Sequence, residues 1–233
     1  MSSYFDHFLI TKIFGFLFDS HLILLMSILV IFIALNFNLI IPSRIQLFFE
    51  MIINHFSQII KENLGNNSQI YILFLSTLFF YLIAINLLGF FIFTLPSTTH
   101  ISLTFGLSSF IWISIIIFGF FNFKSSYLSM FMPTGAPLGL SPLLVFIELA
   151  SHISRPIALG MRLAANLTAG HILLAILSDF IFKMLCFSFS FFNLFPLIII
   201  IFMIILEIGV LAIQAYVFTL LCLIYLKDSL ILH

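Results

Sequence analysis

An all-α, polytopic membrane fold is what this sequence predicts, on three observations. Of 233 residues, 63% are hydrophobic and only 7% charged, against about a quarter charged in an ordinary soluble domain. The apolar residues fall in runs that reach the roughly 20 residues needed to cross a bilayer at about 1.5 Å of rise each. The ionisable residues inside those runs gather in two of them rather than spreading along the chain. A soluble surface so poor in charge would aggregate. The 8 basic and 8 acidic residues sum to zero, leaving no electrostatic footprint for nucleic acid and no polybasic lipid anchor. Cys186 and Cys222 sit in apolar runs at no metal-binding spacing and read as small buried hydrophobes. The N-terminus has no Arg-rich transit character and its first apolar run is followed by no small-residue cleavage site, so no segment is expected to be removed.

About five membrane helices and one interfacial helix are expected, in a single membrane domain over 1–233. The N-terminal part, 1–42, holds a span at 21–41 that stops where Pro42 meets Ser43 and Arg44. Residues 43–68 hold an interfacial helix and a turn. Between 44 and 62, Arg44, Gln46, Glu50, Asn54, His55, Gln58, Lys61 and Glu62 alternate with Leu47, Phe48, Met51, Ile52, Ile59 and Ile60. That pattern is too polar to cross a bilayer, yet it has an apolar face. A helical hairpin follows over 69–121, with spans at 70–95 and 101–121 joined by a connector at 96–100. Residues 122–142, rich in Pro and Gly, predict a structured surface loop. The remainder, 143–233, carries two helical patterns at 143–187 and 194–226. Each is longer than a bilayer is thick, so both should tilt strongly or lie partly along the membrane. Arg44, Lys61, Lys124 and Lys227 fall on one side of this layout, which puts the N-terminus outside and the C-terminus inside, although Lys12 and Lys183 run against the bias.

The first of the long helices carries Glu148, Ser151, His152, Ser154, Arg155, Arg162, Asn166, Thr168 and His171, far more polarity than a lipid-facing helix tolerates. At about 100° per residue, Glu148, His152, Arg155, Arg162 and Asn166 fall within about 80° of one another. His171 lies about half a turn around from Arg162 and about 13 Å further along, so two polar surfaces diverge there. On the last helix Glu207, Gln214 and Tyr225 share one face. Small residues accompany both stripes, among them Ala158, Gly160, Ala165 and Ala169 on one and Gly209, Ala212 and Ala215 on the other. Small side chains let another helix approach closely. Each charge costs about 2.5 to 3.5 kcal/mol at mid-bilayer, which is more than helix packing explains. Ion movement explains it. A proton suits Glu and His, and the set lacks the oxygen cage of a metal cation. Sodium stays open as the alternative ion. Arg162 cannot relay a proton, because its guanidinium stays charged, so its part is that of a fixed positive charge.

The stretch Glu148-Leu149-Ala150-Ser151-His152-Ile153-Ser154-Arg155-Pro156, followed by Leu159-Gly160-Met161-Arg162-Leu163-Ala164-Ala165-Asn166-Leu167-Thr168-Ala169-Gly170-His171, resembles the hallmark segment of subunit a of F-type ATP synthases. Glu207, seven residues before Gln214, resembles the family's last helix, and Asn86-Leu87-Leu88-Gly89 its third. The resemblance runs over 86–225 and is one of layout before that. It implies that Arg162 faces the carboxylates of a rotating c-ring. Glu148 then stands near the half-channel open to the ATP-producing side, with His171 and Glu207 in the opposite one and Gln214 and Asn166 beside the arginine. His152, Arg155, Asn86, His100 and Tyr225 are candidate half-channel linings. It further implies the c-ring, a peripheral stalk, other Fo subunits and membrane lipid as partners, protons as cargo, no cofactor and no direct nucleotide binding. His171 paired with Glu207 is similar to the mitochondrial arrangement, which implies the mitochondrial inner membrane, with a bacterial plasma membrane as the alternative.

The physics of such a stator fits these residues. A ring carboxylate must be neutral where it faces lipid and ionised where it passes the stator. A fixed arginine favours the ionised form. Rival classes fare worse. A redox subunit needs paired haem histidines, but His152 and His171 are on different faces. An intramembrane peptidase needs His-Glu-x-x-His or a nucleophile with a base, and neither is found. A free-standing proton or sodium transporter is the alternative, usually marked by inverted repeats, which this sequence lacks.

Overall fold

The computed structural model describes residues 12–13, 17–18, 26–28, 44–65, 69–90, 97–124, 127–128, 141–187 and 194–230. Five long helices dominate them: α1 (Arg44–Leu64), α2 (Gln69–Phe90), α3 (Ile101–Phe123), α4 (Ser141–Phe187) and α5 (Leu194–Leu230). A short 3-10 turn, Ser97–Thr99, precedes α3. The departure from helix is a minimal antiparallel pairing of β1 (Lys12–Ile13) with β2 (Leu17–Phe18), in register Lys12↔Phe18. Among the described residues, Ile70–Phe90, Ile101–Phe123, Ser141–Met184 and Pro196–Leu230 are long and apolar enough to cross a membrane. The span expected at 21–41 lies outside the described residues except for 26–28, which are helical. Most of the loop expected at 122–142 lies outside them too.

The helix ends have local causes. Gly65 takes φ 67° just past α1, the left-handed position that glycine reaches without a steric cost. Lys124, at φ 49°, turns the chain after α3, whose last residue, Phe123, lies two residues beyond the expected end. The helix α2 is described to Phe90; the remainder of its expected span, 91–95, is outside the described residues. With 47 and 37 residues, α4 and α5 extend about 70 and 55 Å, well beyond a hydrocarbon core of about 30 Å.

The amphipathic reading of α1 holds at its packed face, where Phe56 is 3% exposed and Ile60 fully buried. Its outer face is laced by side-chain bonds one turn apart: Gln46 donates to Glu50 at 3.0 Å and Gln58 to Glu62 at 3.2 Å. By contrast α2 and α3 are apolar all round, as lipid-immersed helices are. Their hydroxyls donate back into their own helices, Thr77 to the Leu73 carbonyl and Ser114 to the Phe110 carbonyl, both at 2.8 Å. In hydrocarbon there is no water to take those bonds instead.

The chain forms two compact units, each drawing on several helices. One comprises Met1–Asn38, Phe80–His100 and Leu163–Tyr216; the other comprises Leu39–Phe79, Ile101–Arg162 and Val217–His233. The first is centred on Leu82, Ile85, Leu167, Leu211 and Ala215, all nearly fully buried. In the second, Phe56 of α1 meets Phe79 of α2 with ring centroids 4.7 Å apart and planes tilted by 52°. Tyr127, 1% exposed, fills the space left by Gly119 and meets the Phe120 ring at 4.8 Å.

Still in the second unit, α3 and α4 touch at Gly160. A Cβ there would lie 2.7 Å from Ser108 Oγ, 3.0 Å from Phe105 Cα and 3.2 Å from the Thr104 carbonyl oxygen. Two of those three atoms are backbone and cannot swing aside. Gly160→Ala is therefore expected to destabilise the chain by about 1 to 3 kcal/mol, the usual cost of overpacking. A thermal midpoint in detergent equal to wild type would show that the two helices are not in such contact.

Candidate functional site

In the second unit, Glu148, His152 and Arg155 succeed one another at helical spacing along α4. Next comes Pro156, which has no N–H to offer the carbonyl one turn earlier. The Arg155 guanidinium is forked. Nη1 donates to Asp228 Oδ2 on α5 at 3.2 Å, and Nη2 lies 3.9 Å from Glu148 Oε1. Its Cζ also stands 5.0 Å from the centre of the Tyr225 ring, a cation–π distance. His152 is 7% exposed, with its ring 6.3 Å from Trp112 of α3. Tyr127, in the stretch after α3, joins this group electrostatically. Burial pushes its hydroxyl above the ordinary tyrosine pKa, with Arg155 opposing and Asp228 adding to the shift. Next to Asp228, Lys227 donates to Asn63 Oδ1 of α1 at 3.3 Å.

Arg162 closes this unit's share of α4 and behaves differently. It is exposed, and among the described residues no ion pair or hydrogen bond engages its guanidinium. Ala158 and Met161 beside it are exposed as well.

The first unit holds the other polar residues. Asn166 donates its amide to Gln214 Oε1 at 3.1 Å, joining α4 to α5. Asn86 of α2, 1% exposed, donates to the Leu211 carbonyl of α5 at 3.5 Å. Glu207 is 8% exposed, and its Oε1 has no hydrogen-bond partner among the described residues. That carboxylate lies directly over Gly170, where any Cβ would run into Oε1 and Cδ. His171, the next residue, sets its ring 6.3 Å from Phe90 of α2. His100 is half-buried in the connector, beside the buried Thr98 and Thr99. Further along, α4 and α5 line an open groove of about 570 Å³ from Ala169, Ile172, Leu173, Ile176, Leu177, Ile199 and Met203. None of its lining residues is polar, so it is no continuation of the polar file.

Sequence reasoning missed Asp228, Trp112 and the Asn63–Lys227 link. A signal for Asp228 existed: at about 100° per residue it falls within about 60° of the Glu207, Gln214 and Tyr225 face. Ending the helix at 226 hid it. The other two depend on which helices are neighbours, which a helical wheel does not report.

A family model described as ATP synthase A chain matches residues 18–227, nearly the whole chain. The chain belongs to the ATP synthase subunit a family. Consistently, ATP synthase subunit a of Metridium senile is 44% identical over 232 residues, covering 100% of this chain and 99% of that relative. The family likeness thus extends well N-terminal of the motif-bearing 86–225. Membership and the four apolar helices together make this a multi-pass membrane protein.

For a member of this family the contact at Gly170 is directly testable. The obstacle is the tip of a flexible side chain, so Gly170→Ala should alter stability by less than about 1 kcal/mol. The Glu207 carboxylate must nonetheless move. A thermal midpoint of the variant in detergent far below that of wild type would show that the carboxylate cannot move aside.

Proposed function

We propose that this chain is the stator subunit of the membrane sector of a rotary ATP synthase, coupling proton flow to ring rotation through two offset half-channels and one arginine. Arg162 carries the reading. An exposed arginine on a membrane-crossing helix, engaged by no carboxylate among the described residues, calls for a partner's carboxylate. The small residues around it on α4, Ala158, Ala165 and Ala169, are exposed too, which suits the close approach of a neighbouring helix.

In this mechanism a ring carboxylate arrives neutral from lipid, meets Arg162 and loses its proton. At about 4 Å and an effective dielectric of 20 the attraction is about 4 kcal/mol, enough to favour ionisation without locking the rotor. The family resemblance assigns Asn166 and Gln214 the part of neutral polar groups accompanying the arginine; here Asn166 donates to Gln214. One half-channel, open to the outer side, uses His171 and Glu207, lined by Asn86 and His100. The other opens to the ATP-producing side and uses Glu148, lined by His152, Arg155 and Tyr225. The fixed charge of Arg162 repels a proton passing directly between them. The roughly 2.3 kcal/mol per proton per 100 mV is then captured only through rotation. The buried, unpartnered Oε1 of Glu207 supports its place in this scheme, since water or a proton would satisfy it.

The partners of this reading are the c-ring, the peripheral stalk and the other Fo subunits, with 1–233 acting as one membrane domain. ATP chemistry resides in other subunits. The pairing of His171 with Glu207 supports the mitochondrial inner membrane as its location.

Arg162→Ala is expected to abolish both ATP-driven pumping and proton-driven synthesis in vesicles containing the whole complex. Normal coupled synthesis by that variant would sink the mechanism. Glu207→Gln and His171→Ala should each slow proton uptake from the outer side by about a hundredfold, the low end of what one positioned acid–base group contributes. Unchanged flux in both would remove them from the half-channel.

A further inference from the structure

The scheme above leaves Arg155 as a lining residue, which does not explain its surroundings. It faces two carboxylates from two different helices, Asp228 Oδ2 at 3.2 Å and Glu148 Oε1 at 3.9 Å. Tyr225 covers its guanidinium at 5.0 Å. His152 stands one turn before it on α4, and Tyr127 lies within the field of both Arg155 and Asp228. A lining group needs polarity; it does not need to be held from three sides.

We propose that Arg155 is a positioning residue that sets the charge count of the inner half-channel. Together with Asp228 and Glu148 it forms a unit of net charge −1, which takes up and gives off one proton at a time. The inference rests on the stator reading and deepens it. Two carboxylates and a guanidinium that stays charged sum to −1. The unequal distances divide the labour. Asp228 accepts a direct charged hydrogen bond and is the neutralised partner. Glu148, at the far edge of ion-pair contact, keeps the remaining negative charge available. The Tyr225 ring meets the guanidinium from a third side, 5.0 Å from its carbon. In the transfer step the Glu148 carboxylate accepts a proton released at the ring and becomes a carboxylic acid. It then returns the proton to water on the ATP-producing side, while Arg155 and Asp228 keep their charges throughout.

This account makes a reciprocal prediction that a purely structural tie between α4 and α5 does not. Without Arg155 the unit is over-charged at −2. Without Asp228 the guanidinium is left to capture Glu148, and the unit is neutral. Removing both returns it to −1. The test uses vesicles containing the intact complex, with ATP-driven pumping and proton flux normalised to assembled complex on native gels. Arg155→Gln and Asp228→Asn are each expected to slow flux about tenfold, an effect of the size a charged hydrogen bond carries. The double variant Arg155→Gln/Asp228→Asn should recover to within about threefold of wild type. Wild-type flux in Arg155→Gln, or a double variant as slow as Asp228→Asn, would overturn the proposal. Should Arg155→Gln alone fail to assemble, the comparison of Asp228→Asn with the double variant decides the matter in the same terms. Arg162→Ala measured in the same vesicles separates the two levels: normal coupled pumping there rejects the stator reading, whereas its loss beside an unaffected Arg155→Gln rejects only the role given to Arg155.

Discussion

An ionised side chain inside hydrocarbon must find a counter-charge, water or a way out, and the placement of polar groups in this chain follows from that constraint. Arg155 and Arg162 stand seven residues apart on one helix and meet it in opposite ways. Arg155 is answered within the chain, by Asp228 and more loosely by Glu148. Arg162 is exposed and engages neither. A molecule that met the constraint wholly from within would have no charge left to act on a partner. One that left both arginines unanswered would pay their full insertion cost twice.

The same constraint acts on the neutral polar groups. Hydroxyls on α2 and α3 donate back to carbonyls of their own helices. Asn166 and Gln214 satisfy each other, and Asn86 reaches a carbonyl on α5. Glycine is used where two elements must come closer than a methyl group permits. At Gly160 it admits the backbone of α3, and at Gly170 it admits the carboxylate of Glu207. The first contact serves packing and the second serves a polar group, although the residues look alike in sequence.

Much of this was legible in the residues themselves. Runs of apolar side chains and the Pro and Gly between them marked the long helices to within a few residues, because length and burial in lipid are one-dimensional properties. The polar stripes were legible for the same reason: a helix converts spacing into azimuth. Azimuth, however, does not name the neighbour. His152 and Arg162 share a stripe by angle, yet His152 is 7% exposed beside Trp112 and Arg162 is exposed. Asn166 and Gln214 were both expected beside the arginine, but nothing in either helix alone said that they would bond to each other. Asp228 was overlooked because the helix was ended a turn too soon, where Lys227 and Asp228 look like the start of a solvated tail.

Those two residues have a mechanical consequence. Consecutive positions on a helix point about 100° apart, and here each is tied to a different element. Lys227 reaches Asn63 on α1, and Asp228 reaches Arg155 on α4. Two tethers at different azimuths brace the end of α5 against twisting about its own axis, as a single tether could not, since turning either way stretches one of them. A membrane subunit under torque must resist torsion as well as bending, and in this chain one pair of adjacent side chains contributes to that resistance.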